Sequence, residues 1–210
     1  NNRIILATDG YFNVGISNQE DLVKLIEEKR ELGIFLTIIG VGSNNNEGSL
    51  EQIANNGNGN FEYLDNDAQI TKVFINEYNK FFTVAKDVKI QVDFNPALVK
   101  QYRLIGYENR LLTTEDFEDD KKDAGEIGAD QSITALYELK LTSNPDRTFP
   151  AFNIDFRYKD PDSNTSQLIN LNIYDEGKHF GQASQDHKFA ASVASLGLLL
   201  RDSNYKGDTD

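Results

Sequence analysis

The sequence predicts an α/β fold, part of a doubly wound parallel sheet over residues 1–86, followed over 87–210 by an antiparallel β-sandwich-like domain with a C-terminal helix. Three observations predict it. Short apolar runs, RIILAT, IFLTIIGVG and FEYL, alternate with stretches of helical periodicity, the pattern of β-α units and a parallel sheet. After Lys86 the period drops from about 3.6 to 2, which marks the domain boundary. The end, HKFAASVASLGLLLRDSNYKG, returns to helix.

RIILAT and IFLTIIGVG are apolar almost throughout, as strands are when helices cover both faces of a sheet. A first helix is predicted from Ser17, where Ser17-Asn18-Gln19-Glu20 fits a capping box and Glu20 and Asp21 suit the positive end of the dipole. Leu22, Leu25, Ile26 and Leu32 share a face, and Gly33 can take the left-handed position that ends the helix. A second box, Ser49 to Gln52, predicts a short helix stopped by Gly57. Ile70, Val73, Phe74, Tyr78, Phe81, Phe82 and Ala85 repeat at three- and four-residue spacing, which predicts one long helix with a core stripe.

Beyond Lys86, Val88, Ile90, Val92 and Phe94 alternate with Lys89, Gln91 and Asp93, one face buried and one wet. The same alternation recurs at 133–141, at Phe152, Ile154, Phe156 and Tyr158, and at Ile169, Leu171 and Ile173. DPDSNTS is rich in turn formers and joins the last two runs as a hairpin. Residues 115–130 carry eight acids against two lysines, with Ala124, Gly125 and Gly128 between them, and read as a solvated loop. In the last helix Phe189, Val193, Leu196 and Leu200 form a stripe expected to pack on the β domain, with a membrane or partner surface as the alternative.

With 34 acidic and 21 basic residues, the net charge of -13 repels phosphate backbones and anionic headgroups, so nucleic acid is an unfavourable partner. No apolar stretch has the roughly 18 residues of a membrane span. The absence of cysteine removes disulfides, thiolate zinc sites and cysteine nucleophiles. The missing initiator methionine reads as a fragment or a processed chain.

Asp9 follows the first strand and so stands at the carboxyl edge of the sheet, where open α/β sheets place ligands. Its carboxylate is a hard oxygen ligand for magnesium, manganese or calcium; alternatively it only caps a turn. GVGSNN at 40–45, with Asp65 about 20 residues on, resembles a dinucleotide fingerprint, but Asn45 occupies the third glycine position. NGNGN at 56–60 reads as a helix stop and a turn. Asp160, Asp162 and Asn164 have the opening spacing of a calcium loop, yet Thr165 and Leu171 stand where glycine and glutamate are needed. His179 and His187 form no zinc or acid-base pattern and read as surface or packing residues.

RIILATDGYFNVG, GIFLTIIGVG and LEQIANNGNGNFEYLD together resemble the second half of a von Willebrand factor A domain. AKDVKIQVDFNPALVKQYRLIGYENR, DDKKDAGEIGA, TALYEL and FAASVASLGLLLRDSNYKG are similar to the C-terminal region of bacterial von Willebrand factor A proteins of the YfbK type. The resemblance implies that Asp9 is the T-D-G aspartate of a metal-ion-dependent adhesion site, which would hold a divalent cation and bind a protein partner. Its D-x-S-x-S and threonine loops would precede residue 1, so a complete site is not expected from this chain alone.

The resemblance further implies a non-enzymatic, extracytoplasmic cell-envelope protein, lipid-anchored through a missing N-terminus. Two other readings stay open: a structural scaffold with a degenerate metal site, and an enzyme handling nucleotide or phosphate at the sheet edge. In such a sheet, strand 4–8 would lie bare along one edge, so the missing N-terminal half or a second copy is expected to cover it.

Overall fold

The computed structural model describes residues 2–10, 18–42, 46–106 and 111–207. The chain divides into two compact units. The first comprises Asn1–Lys89, Asp119–Gln131 and Arg157–Gln167; the second comprises Ile90–Glu118, Ser132–Phe156 and Leu168–Asp210. The matching mixture of parallel sheet, antiparallel sheets and C-terminal helix gives the α/β class read from the sequence.

The first unit is built around β2 (Ile34–Val41), which pairs in parallel with β1 (Asn2–Thr8) on one side and β3 (Phe61–Leu64) on the other. Successive side chains of a strand point to opposite faces, so Ile38 and Ile39 enter two different cores. Ile38 packs with Ile26, Leu50, Ile53 and Ala54 of α1 (Gln19–Glu31) and α2 (Glu47–Asn56). Ile39 packs with Val73 and Phe81. Covering on both faces explains why this run is apolar almost throughout, and the buried Thr37 has its hydroxyl hydrogen-bonded by Arg3.

The helix boundaries differ from expectation by a few residues, in each case because asparagine supplies the cap. Asn18, not Ser17, caps α1: its Oδ1 accepts from Glu20 N at 3.1 Å, while Ser17 lies outside the described residues. Gly33 takes φ +77 just beyond the C-cap, as predicted, but Leu32 has already left the helical phase and is 71% exposed. Asn46 rather than Ser49 caps α2, its Oδ1 accepting from Ser49 N, and Gly57 ends that helix. Gly59 lies so close to β2 that an added Cβ would stand 1.9 Å from Leu36 O.

The single long helix expected over 70–85 is not formed. α3 (Asp67–Thr71) passes into a π-helical turn at Lys72–Asn76 and a 3-10 turn at Tyr78–Phe81, after which β4 (Thr83–Phe94) begins. Each change of helical pitch rephases the stripe. Val73 and Phe81 stay buried, whereas Ile70, Tyr78 and Phe82 are exposed and Ala85 is buried from a strand.

The acidic stretch is not one solvated loop either. It holds α4 (Thr114–Glu118) and β6 (Gly125–Gly128), which pairs antiparallel with β4. Glycine permits this approach, since a Cβ on Gly128 would lie 1.9 Å from Lys80 O. The acids are partly neutralised where they land: Arg30 pairs with Asp123 and Arg157 with Asp120. A four-stranded sheet in the order β6-β4-β8-β9 adds β8 (Phe152–Lys159) and β9 (Gln167–Ile173). Asp160 closes the turn between them, its carbonyl accepting from Ser163 N and its carboxylate from Gln167 Nε2, as the hairpin reading requires.

The alternation along β4 is only partly as expected. Lys89 is 3% exposed and Ile90 49% exposed, the reverse of the predicted sides, while Val92 and Phe94 are half-buried as predicted. The strand contributes Thr83–Lys89 to the first unit and Ile90–Phe94 to the second, and each unit sets its own inward side. Lys89 can turn inward because its ammonium reaches the carbonyl of Asp119.

In the second unit β5 (Val99–Ile105) pairs antiparallel with β7 (Leu136–Leu141). Leu98, Val99 and Ala151 form the core with Phe94, Leu139, Leu141 and Phe152, and Phe94 stacks on Tyr102 with ring centroids 4.1 Å apart. α5 (Gln185–Leu200) is the predicted helix, but turned over. Leu198 is its buried residue, and Ala190, Ala194 and Gly197 are half-buried, while Phe189, Val193, Leu196 and Leu200 are exposed.

Truncation of Ile38, buried against two helices, is expected to lower the unfolding free energy by about 2–5 kcal/mol in urea denaturation. Leu196→Ala on α5 should change it by less than about 0.5 kcal/mol.

Candidate functional site

Two places in the first unit concentrate chemistry. One is the carboxyl edge of the parallel sheet. β1 ends at Thr8, and the chain turns through Asp9 and Gly10, with Gly10 at φ +101 and its N–H donating to Thr8 Oγ1 at 3.1 Å. This local bond and the left-handed glycine turn the backbone sharply, and Asp9 is exposed at the bend. β2 ends alongside at Val41, where Gly42 takes φ +85 and its carbonyl accepts from Tyr63 Oη at 2.9 Å. The edge offers hard oxygen donors, as a magnesium, manganese or calcium ion requires, and Asp9 would be its carboxylate ligand. Among the described residues no second and third acid join Asp9.

The neighbouring Asn44 and Asn45 of the GVGSNN run lie outside the described residues. Asp65 follows β3 and accepts from Asn66 Nδ2. His179 and His187 are both exposed, His187 lying edge-on to Phe180.

The second place was not singled out in the sequence. Asp87 of β4, Glu126 of β6 and Asp123 just before β6 bring carboxylate oxygens within 4.8 Å of one another. β4 carries one extra residue relative to β6 between Ala85 and Val88, and Asp87 sits in that irregularity with φ +51. Asp87 Oδ2 lies 2.6 Å from Lys159 Nζ, whose ammonium also donates to the Asp120 carbonyl at 2.6 Å. Asp123 Oδ2 accepts from Arg30 Nη1 at 2.8 Å. Glu126 has no such partner for its buried Oε1.

Burial is the main reason the Glu126 carboxyl is pushed up to about 8, with the negative charges of Asp123 and Asp87 adding to it and Arg3 and Arg30 opposing. Nearby, hydrogen bonds from Ser166 and Arg157 hold Asp120 below the usual carboxylate range. The one signal for this cluster in the sequence was the acidic run itself, since the distant Asp87 and Lys159 meet it through strand pairing and Arg30 reaches it from α1.

Residues 79–152 and 147–210 match the family model described as "Uncharacterized protein YfbK, C-terminal". The chain belongs to the YfbK C-terminal family. Residues 1–76 match the von Willebrand factor type A domain. A curated relative, "Uncharacterized protein YfbK" of Escherichia coli strain K12, is 40% identical over 227 residues, covering 99% of this chain and 39% of its own length. The chain thus spans about two-fifths of that relative.

Among solved structures, a von Willebrand factor type A protein from Catenulispora acidiphila is 15% identical with a TM-score of 0.43, covering 92% of this chain and 48% of its own. The ArnB paralog VWA2 from Sulfolobus acidocaldarius is 16% identical with a TM-score of 0.35, covering 82% and 40%.

The Glu126 carboxyl gives a pH dependence of definite sign. The folded chain keeps this proton up to about pH 8, while the unfolded chain releases it near its ordinary 4.5. Between those values the folded state holds the extra proton, so raising the pH lowers stability. Urea midpoints should fall from pH 5 to pH 8, and Glu126→Gln should flatten that slope.

Proposed function

We propose that this chain is part of a non-enzymatic protein-binding module of the cell envelope, in which a divalent cation held partly by Asp9 receives an acidic side chain from a protein partner. One observation carries the reading: a T-D-G turn, within residues that match a von Willebrand factor type A domain, exposes its aspartate at the carboxyl edge of a parallel sheet. Asp9 supplies a hard anionic oxygen, and the Thr8–Gly10 bond fixes the turn from which it projects. The remaining ligands would come from D-x-S-x-S and threonine loops of the longer protein, and the cation would keep one coordination position for the partner. No helix among the described residues is long and apolar enough to cross a membrane; the proposed attachment is a lipid anchor elsewhere in the protein.

The long apolar β1 bears on the same proposal. It pairs with β2 on one side, and Ile4 and Ile5 are exposed at 54% and 43%. The proposed cover is the N-terminal half of the von Willebrand factor domain in the longer protein, with a second copy as the other candidate.

The test is partner capture from envelope extracts with the full-length protein, in magnesium and in chelator. Magnesium-dependent capture that Asp9→Ala reduces at least tenfold, with an unchanged melting temperature, supports the assignment. Capture unaffected by chelator and by Asp9→Ala leaves the scaffold reading in its place, and a thermal shift induced by nucleotide would favour the enzyme.

A further inference from the structure

Three consecutive strands, β6, β4 and β8, carry Glu126, Asp87 and Lys159. Asp87 and Lys159 are 72 residues apart in sequence, yet Nζ lies 2.6 Å from Oδ2. The lysine side chain is 8% exposed and the aspartate side chain 18%. Beside Asp87, the Glu126 carboxylate lies within 4.8 Å, with Oε1 buried and unpartnered. Asp123, the other acid of the cluster, is already engaged by Arg30.

We propose that Lys159 and Asp87 condense to an intramolecular isopeptide bond, with Glu126 as the proton shuttle. An amine and a carboxylic acid held in contact away from bulk water have an effective concentration on the order of 10⁵ M or more, which removes most of the entropic obstacle to amide formation. Amide formation runs through the neutral pair, in which the ammonium has passed one proton to the Asp87 carboxylate at the 2.6 Å contact.

The Nζ lone pair then forms a bond to Asp87 Cγ. The carboxyl C–O bond breaks, its electron pair leaving with the hydroxyl, which takes a proton from Glu126 and departs as water. Glu126 recovers a proton from the nitrogen, so the sum is one ammonium and one carboxylate giving one amide and one water. No oxidant or further reactant enters. A carboxyl that keeps its proton at neutral pH suits this role, and Glu126 is such a group.

The product would tie β4 to β8 covalently and close a long loop that the unfolded chain cannot open. Such a bond needs no cysteine, which this chain lacks.

Peptide mapping of the full-length protein by mass spectrometry decides the matter. The expected result is one branched peptide, joined through Lys159 and Asp87 and about 18 Da lighter than the sum of its two arms. It should be absent in Lys159→Arg, and should fall at least tenfold in Glu126→Ala. Recovery of the two arms as separate peptides from wild-type protein, with cleavage after Lys159, overturns the bond, and this reading needs no variant to fold. A branched peptide at wild-type yield in Glu126→Ala overturns the role of Glu126.

Discussion

Burial of β2 on both faces is the constraint on which the first unit rests. Ile38 and Ile39 are adjacent in sequence and inward on opposite sides, so one strand demands two separate helical layers. Once α1 and α2 fill one side and the segments carrying Val73 and Phe81 fill the other, the parallel direction of β1, β2 and β3 is fixed and their carboxyl ends share one edge. Asp9 owes its position to that arrangement. Arg3 strengthens it from β1, donating to Thr37 Oγ1 on β2 and to Thr83 Oγ1 at the start of β4.

The ionic cluster follows from a second, more local constraint. β6 is short and glycine-flanked, and it can lie against β4 because Gly128 brings no Cβ toward Lys80. That pairing carries Asp123 and Glu126 out of a charged run and into partial burial beside Asp87. Two of the three acids find a cation, Arg30 and Lys159, whereas Glu126 responds by keeping its proton. A structural ion network and a chemically poised group therefore arise from the same strand pairing.

Much of this was legible in the chain. The apolar runs located β1, β2 and β3, the turn residues located the β8–β9 connection, and Thr8-Asp9-Gly10 marked the sheet edge. Errors clustered where local pattern and packing disagree. The stripe from Ile70 to Ala85 assumed one helical pitch, but π and 3-10 turns intervene and a strand begins before it ends. The stripe on α5 had the right period and the wrong side: Leu198 is buried and the small residues are half-buried, while the large stripe is exposed. Lys89 looked like a solvent-facing residue until its ammonium met a carbonyl 30 residues away.

By itself the sequence determined the α/β class, the switch from helical to strand period near Lys86 and the exposure of Asp9 at a turn, since each depends on neighbours within a few positions. The tertiary structure alone decided which face each element buries and which charges meet. Those outcomes depend on pairing partners tens of residues away: Asp87 reaches Lys159 across 72 positions and Arg30 reaches Asp123 across 93. No local period encodes a contact of that length, because strand register and desolvation set it only after the sheet has closed.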